Sequence, residues 1–288
     1  MATIDYSGPN AQQIQYWNEL AGPKWVTLYR FIDAQVTPLG LRAMARASVR
    51  VGERVLDIGC GCGSTTVELA RRVGPTGAVT GVDISSVMLE RALLAAREAD
   101  LDHVRCVNAD AQTYRFKPSS VDVVFSRFGV MFFAQPEEAF RNLLTALRPG
   151  GRLSFVCWRA LAENPWMTVP LGAALPHLPP PPLPAPEAPG PFAFADAERV
   201  RRILATAGFV EIALEALNET LTIGGGTDLA QTVDYLMQMG PLGAALRESG
   251  PELRSQVAVS VREALRPYQT ADGVRMPSAA WVVTARRQ

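Results

Sequence analysis

The stretch Glu53–Gly63 constrains the fold most, because a short apolar segment there runs directly into three alternating glycines. Residues 54–58 predict a buried parallel strand, since a compact apolar run before a breaker is typical of one. The glycines that follow are Gly59, Gly61 and Gly63. Because they have no Cβ, they allow a sharp turn and let a ligand approach the backbone closely. The stretch therefore predicts a strand that ends in a ligand-binding turn.

A helix is predicted directly after this turn. Thr65 and Glu68 have the spacing of a capping box, and Gly74 followed by Pro75 predicts where the helix ends. The amino terminus of such a helix faces whatever ligand the glycines admit. Asp57 lies at the carboxyl end of the strand and adds a carboxylate to the same turn.

Two cofactor classes use a carboxylate followed by alternating glycines. The nicotinamide fingerprint needs Gly or Ala at position 64, where this chain has Ser64. An NAD-dependent oxidoreductase is therefore an imperfect match and is kept as an alternative. The order of Asp57, Gly59, Gly61 and Gly63 instead resembles the first motif of the class I S-adenosylmethionine (SAM) methyltransferases. The resemblance implies SAM as the cofactor, with these four residues in its site. Another alternative is a protein of this fold that binds SAM as a regulator or for a different reaction.

A second carboxylate supports a ligand that contains ribose. Asp83 ends the second predicted strand, residues 78–83, and lies 20 residues beyond Gly63. At this spacing a Rossmann-like site places an acid on the ribose hydroxyls. The resemblance further implies that Ile84 and Met88 pack against adenine, although both also fit an ordinary core.

Polar residues follow the third and fourth predicted strands as well. Asp110 and Ala111 come just after the strand 104–108, and the resemblance assigns them to the adenine amino group and ring. Ser126 follows the strand 121–125. Because ligands of open α/β sheets bind outside the carboxyl ends of the strands, we expect Ser126 beside the cofactor.

Five strands alternate with helices over residues 51–158, which predicts a Rossmann-like, doubly wound α/β sheet with right-handed crossovers. The chain resembles in particular the small-molecule group similar to the ubiquinone and menaquinone methyltransferases. That resemblance implies a mostly parallel sheet, an antiparallel last strand between the fifth and the sixth, and helical cap insertions. The expected organisation is an N-terminal helical cap (1–50), a SAM-binding core (51–158), a Pro-rich connection or lid (159–195), completion of the core sheet (196–219 and 278–288) and a helical insertion over the substrate pocket (220–277).

Residues 11–31 predict a helix that breaks near Gly22–Pro23. Tyr16, Trp17 and Trp25 belong to an aromatic stripe on this helix, a pattern that is typical of core packing. The resemblance adds the alternative that the helix covers the cofactor, with aromatic faces near the sulfonium cation.

Two segments outside the core are distinctive. Residues 176–191 contain nine prolines, which favours a polyproline II conformation that serves as a rigid surface connection or a lid hinge. The insertion 220–277 is too long for a structureless loop and predicts helices near 229–239 and 251–266. We expect the insertion and the N-terminal helices to determine which substrate binds.

Composition argues against several other classes. The chain has 28 basic and 28 acidic residues, so a nucleic-acid binder with a general basic surface is not expected. No apolar stretch reaches the ~20 residues of a membrane span, and no signal-peptide pattern opens the chain, so we expect a cytoplasmic protein. The expected assembly is a monomer or a homodimer. Four cysteines and two histidines show no zinc spacing, so no metal is expected. The thiols are predicted to be reduced and buried, with a redox role for Cys60 and Cys62 as the alternative.

The expected reaction is in-line SN2 transfer of the SAM methyl group to a small molecule, accelerated by alignment and desolvation. The sequence leaves oxygen, nitrogen and carbon nucleophiles open. A hydroxyl or carbon acid would need a base. The weak candidates for a catalytic role, each of which also fits a structural role, are His177, Tyr16, Glu163 and Arg127. An alternative role for Arg127 and Arg159 is to bind an anionic substrate. The substrate-pocket candidates are Trp17, Trp25, Phe128 and Arg159.

Overall fold

An eight-stranded sheet organises the computed structural model, which describes residue 4 and residues 6–178 and 187–288. Its strands are β1 (Arg54–Ile58), β2 (Ala78–Asp83), β3 (Val104–Asn108), β4 (Val121–Arg127), β5 (Leu147–Trp158), β6 (Val210–Thr222), β7 (Gln269–Thr270) and β8 (Gly273–Arg286). The strands are hydrogen-bonded in the order β3-β2-β1-β4-β5-β8-β6, and β7 pairs with β8.

The first five strands are parallel, whereas β8 runs antiparallel between β5 and β6. The predicted α/β class and the position of the antiparallel last strand are therefore confirmed. The strand order reverses where β1 lies beside β4. In open α/β sheets a ligand crevice forms at such a reversal, outside the carboxyl ends of the strands.

Helices cover the sheet. They are α1 (Ala11–Gln15), α2 (Ala21–Ala47), α3 (Ser64–Val73), α4 (Ser86–Glu98), α5 (Pro136–Ala146), α6 (Pro165–Ala174), α7 (Ala197–Ala207), α8 (Leu229–Leu236), α9 (Gly240–Ala245) and α10 (Pro251–Leu265). In one part of the core, Phe140 of α5 packs against Phe155 of β5 and against Phe194 and Phe209, with ring centroids 5.7–6.3 Å apart. Burial of such aromatic side chains is a large favourable term in folding.

Gly22 and Pro23, near which the sequence predicts a break, lie in the first turn of α2, which continues without interruption to Ala47. Proline is tolerated in a first helical turn, where its missing amide hydrogen has no intrahelical acceptor. The irregularity lies just upstream instead, where Tyr16–Leu20 form one π-helical segment. Towards its end α2 is tied to the sheet, since the Ala43 carbonyl accepts a hydrogen bond from Ser154 Oγ at 2.8 Å.

The insertion between β6 and β8 contains two predicted helices, α8 and α10, and also the short helix α9, which the sequence pattern does not predict. Eight of the 16 residues in the Pro-rich segment, residues 179–186, lie outside the described residues, so polyproline II conformation stays a prediction there. Among the residues that the structure describes, none of the helices combines the length and the apolar character that a membrane crossing requires.

Candidate active site

A cavity of about 600 Å³ lies at the carboxyl ends of β1, β2 and β4. This volume is within the range of about 300–1,000 Å³ that is usual for small-molecule sites. Its lining includes Gly59, Asp83 and Arg127 at the ends of the strands. The helical segments outside the sheet contribute Trp25 and Tyr235. The N-terminal helices and the β6–β8 insertion thus contribute to the same cavity as the core.

The glycine turn after β1 has positive φ at all three glycines: +66° at Gly59, +54° at Gly61 and +89° at Gly63. A Cβ at Gly59 would lie 2.6 Å from the Cα of Gly129, and one at Gly63 would lie 2.8 Å from the Cα of Ala92. A Cβ at Gly61 would meet no atom of the described chain within 4 Å, and Gly61 lines the cavity. Gly59 and Gly63 therefore allow the backbone to pack, whereas Gly61 leaves space for a ligand.

Asp83 lines the cavity and is held by the backbone of two loops. Its Oδ2 accepts a hydrogen bond from the Gly61 amide at 2.8 Å, and its Oδ1 accepts one from the Ser85 amide at 2.8 Å. Burial raises the pKa of the Asp83 carboxyl to about 6, and the backbone amides oppose that shift. At neutral pH the side chain is a fixed, ionised hydrogen-bond acceptor at the wall of the cavity.

Asp57 does not line the cavity but lies fully buried beneath the turn. Its Oδ2 accepts hydrogen bonds from Thr65 Oγ1 at 2.6 Å and Thr66 Oγ1 at 2.7 Å, and its Oδ1 has no hydrogen-bond partner in the part of the chain that the structure describes. The predicted capping box is therefore wrong, because the N-cap of α3 is Gly63, which has no side chain to cap the helix. Thr65 donates its hydroxyl hydrogen to Asp57 instead. The carboxylate ties the end of β1 to the first turn of α3.

Replacement of Asp57 by asparagine should change how stability depends on pH. Burial raises the pKa of Asp57 to about 6 from an ordinary value of 3.8. The native chain thus keeps a proton that the unfolded chain has lost, and its stability falls as pH rises between these values. Asp57→Asn removes this loss, so its free energy of unfolding relative to the parent should increase by roughly 2–3 kcal/mol from pH 4 to pH 7.

Urea unfolding of both proteins at pH 4, 5, 6 and 7 measures this difference. The comparison at pH 4 is the internal control, because the native Asp57 carboxyl is then protonated and, like the amide, uncharged. A difference that stays constant across the four pH values would contradict the prediction.

A polar group around Asp110 includes Asn10 and Gln13, two residues that the sequence analysis did not single out. The Asp110 carboxylate accepts hydrogen bonds from Asn10 Nδ2 and the Gln112 amide, both at 2.9 Å. Asp110, Ala111, Ile84 and Met88 all line the cavity. Gln13 lines it too, and its buried Oε1 has no hydrogen-bond partner among the described residues.

Three aromatic residues of the N-terminal helices form a cluster with Phe132 on the cavity. Trp17 packs edge-on against Tyr16, Trp25 and Phe132, with ring centroids 5.2–5.5 Å apart. All four line the cavity, and so does Arg247, whose guanidinium lies 5.6 Å from the centroid of the Tyr16 ring. These rings therefore pack on one another and also border the cavity, which is compatible with both interpretations of the aromatic stripe.

Arg127 lines the cavity but is already paired. Its Nη2 lies 2.6 Å from Asp33 Oδ1 and 2.9 Å from Ser64 Oγ, and Ser64 donates to the same carboxylate oxygen at 2.8 Å. The contacts link β4, α2 and the first turn of α3. A guanidinium held by a carboxylate is a poor base, so this geometry favours a positioning role for Arg127.

Phe128 lies on the cavity wall in a strained conformation, with φ of +58°, a region that bulky residues rarely adopt. Its ring is stacked on Trp158, with centroids 4.2 Å apart and planes 13° apart. Trp166 continues the group at 5.3 Å from Trp158. All three line the cavity, so we name Phe128, Trp158 and Trp166 the aromatic wall.

The remaining candidates from the sequence do not line the cavity. His177 Nε2 contacts Ser260 Oγ at 2.8 Å, and Glu163 forms an ion pair with Arg159. The Arg159 guanidinium also lies over the Trp281 ring, 4.8 Å from its centroid. The Ser126 hydroxyl is buried and accepts the Gly129 amide at 3.2 Å, which supports the loop rather than lining the cavity.

The cysteines beside the turn are poor redox candidates. Burial raises the pKa of Cys62 to about 12 and that of Cys60 well above its ordinary value, so both remain thiols at neutral pH. Because the thiolate is the reactive form, this environment makes the two side chains unreactive. Both line the cavity as small apolar groups.

Comparisons with known proteins agree with the arrangement of the core. Residues 55–151 match a family model described as a methyltransferase domain. Aklanonic acid methyltransferase DauC of Streptomyces sp. (strain C5) is 37% identical over 119 residues, which are 41% of this chain and 54% of DauC. A demethylmenaquinone methyltransferase of Staphylococcus aureus is 37% identical over 110 residues, which are 38% of this chain and 45% of that protein.

Among solved structures, the YcgJ protein of Bacillus subtilis has a TM-score of 0.57 at 17% identity, covering 87% of this chain and 97% of that chain. That similarity concerns the fold. The chain spans about half the length of the curated relatives that it matches. The N-terminal helices and the insertion lie outside the matched family segment, residues 55–151.

Proposed function

Because residues 55–151 form a class I SAM-dependent methyltransferase domain, we propose that the chain transfers the methyl group of SAM to a small-molecule acceptor. The observation that carries this proposal is the alignment of Gly61, Asp83 and Asp110 along one cavity at the carboxyl ends of successive strands. That cavity is also bordered by an aromatic wall, which provides a site for a second, largely apolar molecule.

The residues of the cavity fit SAM. Asp83 offers a buried, ionised acceptor for ribose hydroxyls, and Gly61 leaves the backbone open to close approach. The Asp110 carboxylate is an acceptor of the kind that an adenine amino group requires. We propose that Ile84, Met88 and Ala111 border the adenine ring, and that Asp57 and Ser126 support the site from below the turn.

SAM supplies an activated methyl group on a sulfonium, so the chain needs chiefly to align the two ligands and exclude water. We propose that residues 1–50 and 220–277 form the cover that does so, a proposal supported by Tyr16, Trp17, Trp25, Tyr235 and Met239, which line the cavity from these segments. The faces of aromatic rings also attract a cation, which suits a sulfonium.

The part of the cavity that we assign to the methyl acceptor offers a hydrogen-bond donor, Tyr235, rather than a strong base. Burial and the nearby Asp33 carboxylate raise the pKa of Tyr235 above its ordinary value, so the phenol keeps its proton at neutral pH. Asp33 itself accepts from Arg127 and Ser64. The geometry therefore favours an acceptor whose nucleophile is activated by orientation and desolvation.

Thermal unfolding with SAM, S-adenosylhomocysteine (SAH) and NAD tests the cofactor. A ligand at 100 times its Kd adds about 2.7 kcal/mol, which should raise the Tm by roughly 5–10 °C. We expect this shift with SAM and SAH and none with NAD. A shift with NAD alone would refute the proposal.

The release of SAH separates catalysis from binding. Chromatography should detect SAH when the protein is incubated with SAM and a panel of phenol, amine and carbon-acid acceptors. Binding of SAM without acceptor-dependent SAH across the panel would favour a regulator that binds SAM.

A further inference from the structure

One carboxylate on the cavity comes from the helical cover rather than from the end of a strand. Asp33 of α2 lines the cavity, and its Oδ1 accepts hydrogen bonds from Arg127 Nη2 at 2.6 Å and Ser64 Oγ at 2.8 Å. Its Oδ2 accepts no hydrogen bond from the described residues, and the side chain keeps 20% of its surface accessible. Two bonds to one oxygen fix the carboxylate, so the other oxygen is an oriented acceptor that a molecule in the cavity can reach.

Asp33 lies where the glycine turn meets the part of the cavity that we assign to the methyl acceptor. On the side of the turn, burial and the Asp33 carboxylate raise the pKa of Cys62 to about 12. On the side of the insertion, burial and the same carboxylate raise the pKa of Tyr235. Both residues line the cavity. The charge of Asp33 is therefore felt at the turn and at the insertion, between which the methyl group would be transferred.

Aromatic side chains form much of the remaining wall. Trp25, Phe128, Trp158 and Tyr235 are among those that line the cavity. The face of an aromatic ring carries partial negative charge and attracts a cation within about 6 Å of the ring centroid. A carboxylate combined with several aromatic rings favours a positively charged group over an anion of the same size.

The cationic side chains of the lining do not reverse this preference. Arg127 is already paired with Asp33. Lys24 and Arg247 also line the cavity, but both side chains are exposed to solvent. In the part of the chain that the structure describes, the cavity therefore offers no buried, unpaired cation to hold an anionic nucleophile.

The movement of charge during methyl transfer distinguishes the classes of nucleophile. An amine that has released its extra proton to water attacks with its lone pair, which forms the new N–C bond. The C–S bond breaks, and its electron pair stays on the sulfur of SAH. One positive charge thus passes from sulfur to nitrogen, and the methylated nitrogen can then lose a proton to water. A fixed carboxylate beside the nitrogen stabilises this charge as it arrives.

We propose that the methyl acceptor carries a basic primary or secondary amine and that Asp33 Oδ2 accepts a hydrogen bond from its N–H group. This inference rests on the proposed function, because it names the class of acceptor for the same cavity. It makes Asp33 a residue that determines specificity, and Arg127 and Ser64 the groups that hold Asp33 in place.

Three probes on one phenylalkyl frame test the class of acceptor. At neutral pH phenethylamine is positively charged, 2-phenylethanol is uncharged and 3-phenylpropanoic acid is negatively charged. Calorimetric titration of each probe into the SAH-loaded protein gives its Kd. We expect phenethylamine to bind at least about 5-fold more tightly than either of the others, as one charge-assisted hydrogen bond would supply.

Two substitutions test the assignment to Asp33. Asp33→Asn replaces the carboxylate by an uncharged group of similar shape, and it should weaken phenethylamine by about 5- to 10-fold while leaving 2-phenylethanol unchanged. Asp234→Asn is the matched control, because Asp234 is an exposed acid beside Tyr235 that does not line the cavity. It should leave the affinities for both probes unchanged. Far-UV circular dichroism checks folding, and the ranking of the probes in the parent decides the class of acceptor if Asp33→Asn does not fold.

The outcomes are distinct from those of the proposed function. If SAH fails to bind, the proposed function fails. If SAH binds but phenethylamine does not bind at millimolar concentration, or binds no better than either comparison compound, the proposed amine acceptor is overturned. An unchanged preference for phenethylamine in Asp33→Asn overturns the role of Asp33.

A further titration separates the acceptor from the amino group of the cofactor. 5′-Methylthioadenosine has the adenosine and sulfur of SAH but lacks its amino-acid tail. We expect Asp33→Asn to bind SAH and 5′-methylthioadenosine as the parent does. A loss of affinity for SAH alone would assign Asp33 to the cofactor tail and overturn the proposal.

Discussion

Replacement of Asp83 by alanine is expected to weaken binding of both SAM and SAH by at least about 100-fold. The side chain is a buried carboxylate on the cavity, held in place by the Gly61 and Ser85 amides. Hydrogen bonds to a charged group contribute about 1.5–3 kcal/mol each, and two bonds to ribose hydroxyls would account for this loss. Asp83→Asn, which keeps one acceptor oxygen and similar volume, should lose less affinity.

Isothermal titration of SAH into the parent and both variants measures the effect, with far-UV circular dichroism as the control for folding. The pH dependence provides a second readout. Because burial raises the pKa of Asp83 to about 6, the parent should lose SAH affinity as the carboxyl protonates between pH 7 and pH 5. The alanine variant should lack this part of the pH dependence. An affinity within about 3-fold of the parent would exclude Asp83 from the ribose site.

Substitution of neighbouring glycines by alanine should separate folding from ligand binding. In Gly59→Ala the new Cβ would lie 2.6 Å from the backbone of Gly129 at a φ of +66°, so we expect a loss of at least about 3 kcal/mol of stability. In Gly61→Ala the new methyl group meets no atom of the described chain within 4 Å, and the loss should be about 1–2 kcal/mol, from the φ of +54° alone.

For ligand binding, the substitution at Gly61 is the one expected to have the direct effect. Gly61→Ala should fold but bind SAH at least about 10-fold more weakly, because its methyl group occupies the space beside Asp83 that the ligand would enter. Urea unfolding and calorimetric titration of each variant test both expectations. Normal SAH affinity in a folded Gly61→Ala protein would show that the ligand does not approach this part of the turn.

The features that were predictable from the sequence are those encoded locally. The alternation of strands and helices follows from short apolar runs and glycine breaks, and Asp83 and Asp110 are recognisable because each follows its own strand. The position of Asp57 beneath the turn was not predictable, because the two threonines that hold it also satisfy a capping pattern. A spacing rule cannot tell which buried carboxylate will compete for the same hydroxyl.

The part of the cavity that we assign to the methyl acceptor was the least predictable from the sequence. Asp33, Gln35, Trp166 and Tyr235 come from three elements far apart in the chain, and nothing in their local sequence distinguishes them from ordinary helix residues. Conversely, His177 and Glu163 have suitable chemistry, but the fold places them against Ser260 and Arg159. Only tertiary structure shows which titratable groups reach a common cavity.

Helix α2 connects both halves of the cavity with the sheet. It carries Trp25 near its start and Asp33 and Gln35 in its middle, while the Ala43 carbonyl near its end is bonded to β5. Its 27 residues form a rod of about 40 Å, and Pro38 leaves the carbonyl four residues earlier without its usual donor. Because one helix carries these three side chains, they keep fixed positions relative to one another, and the shape of this wall is set by a single element.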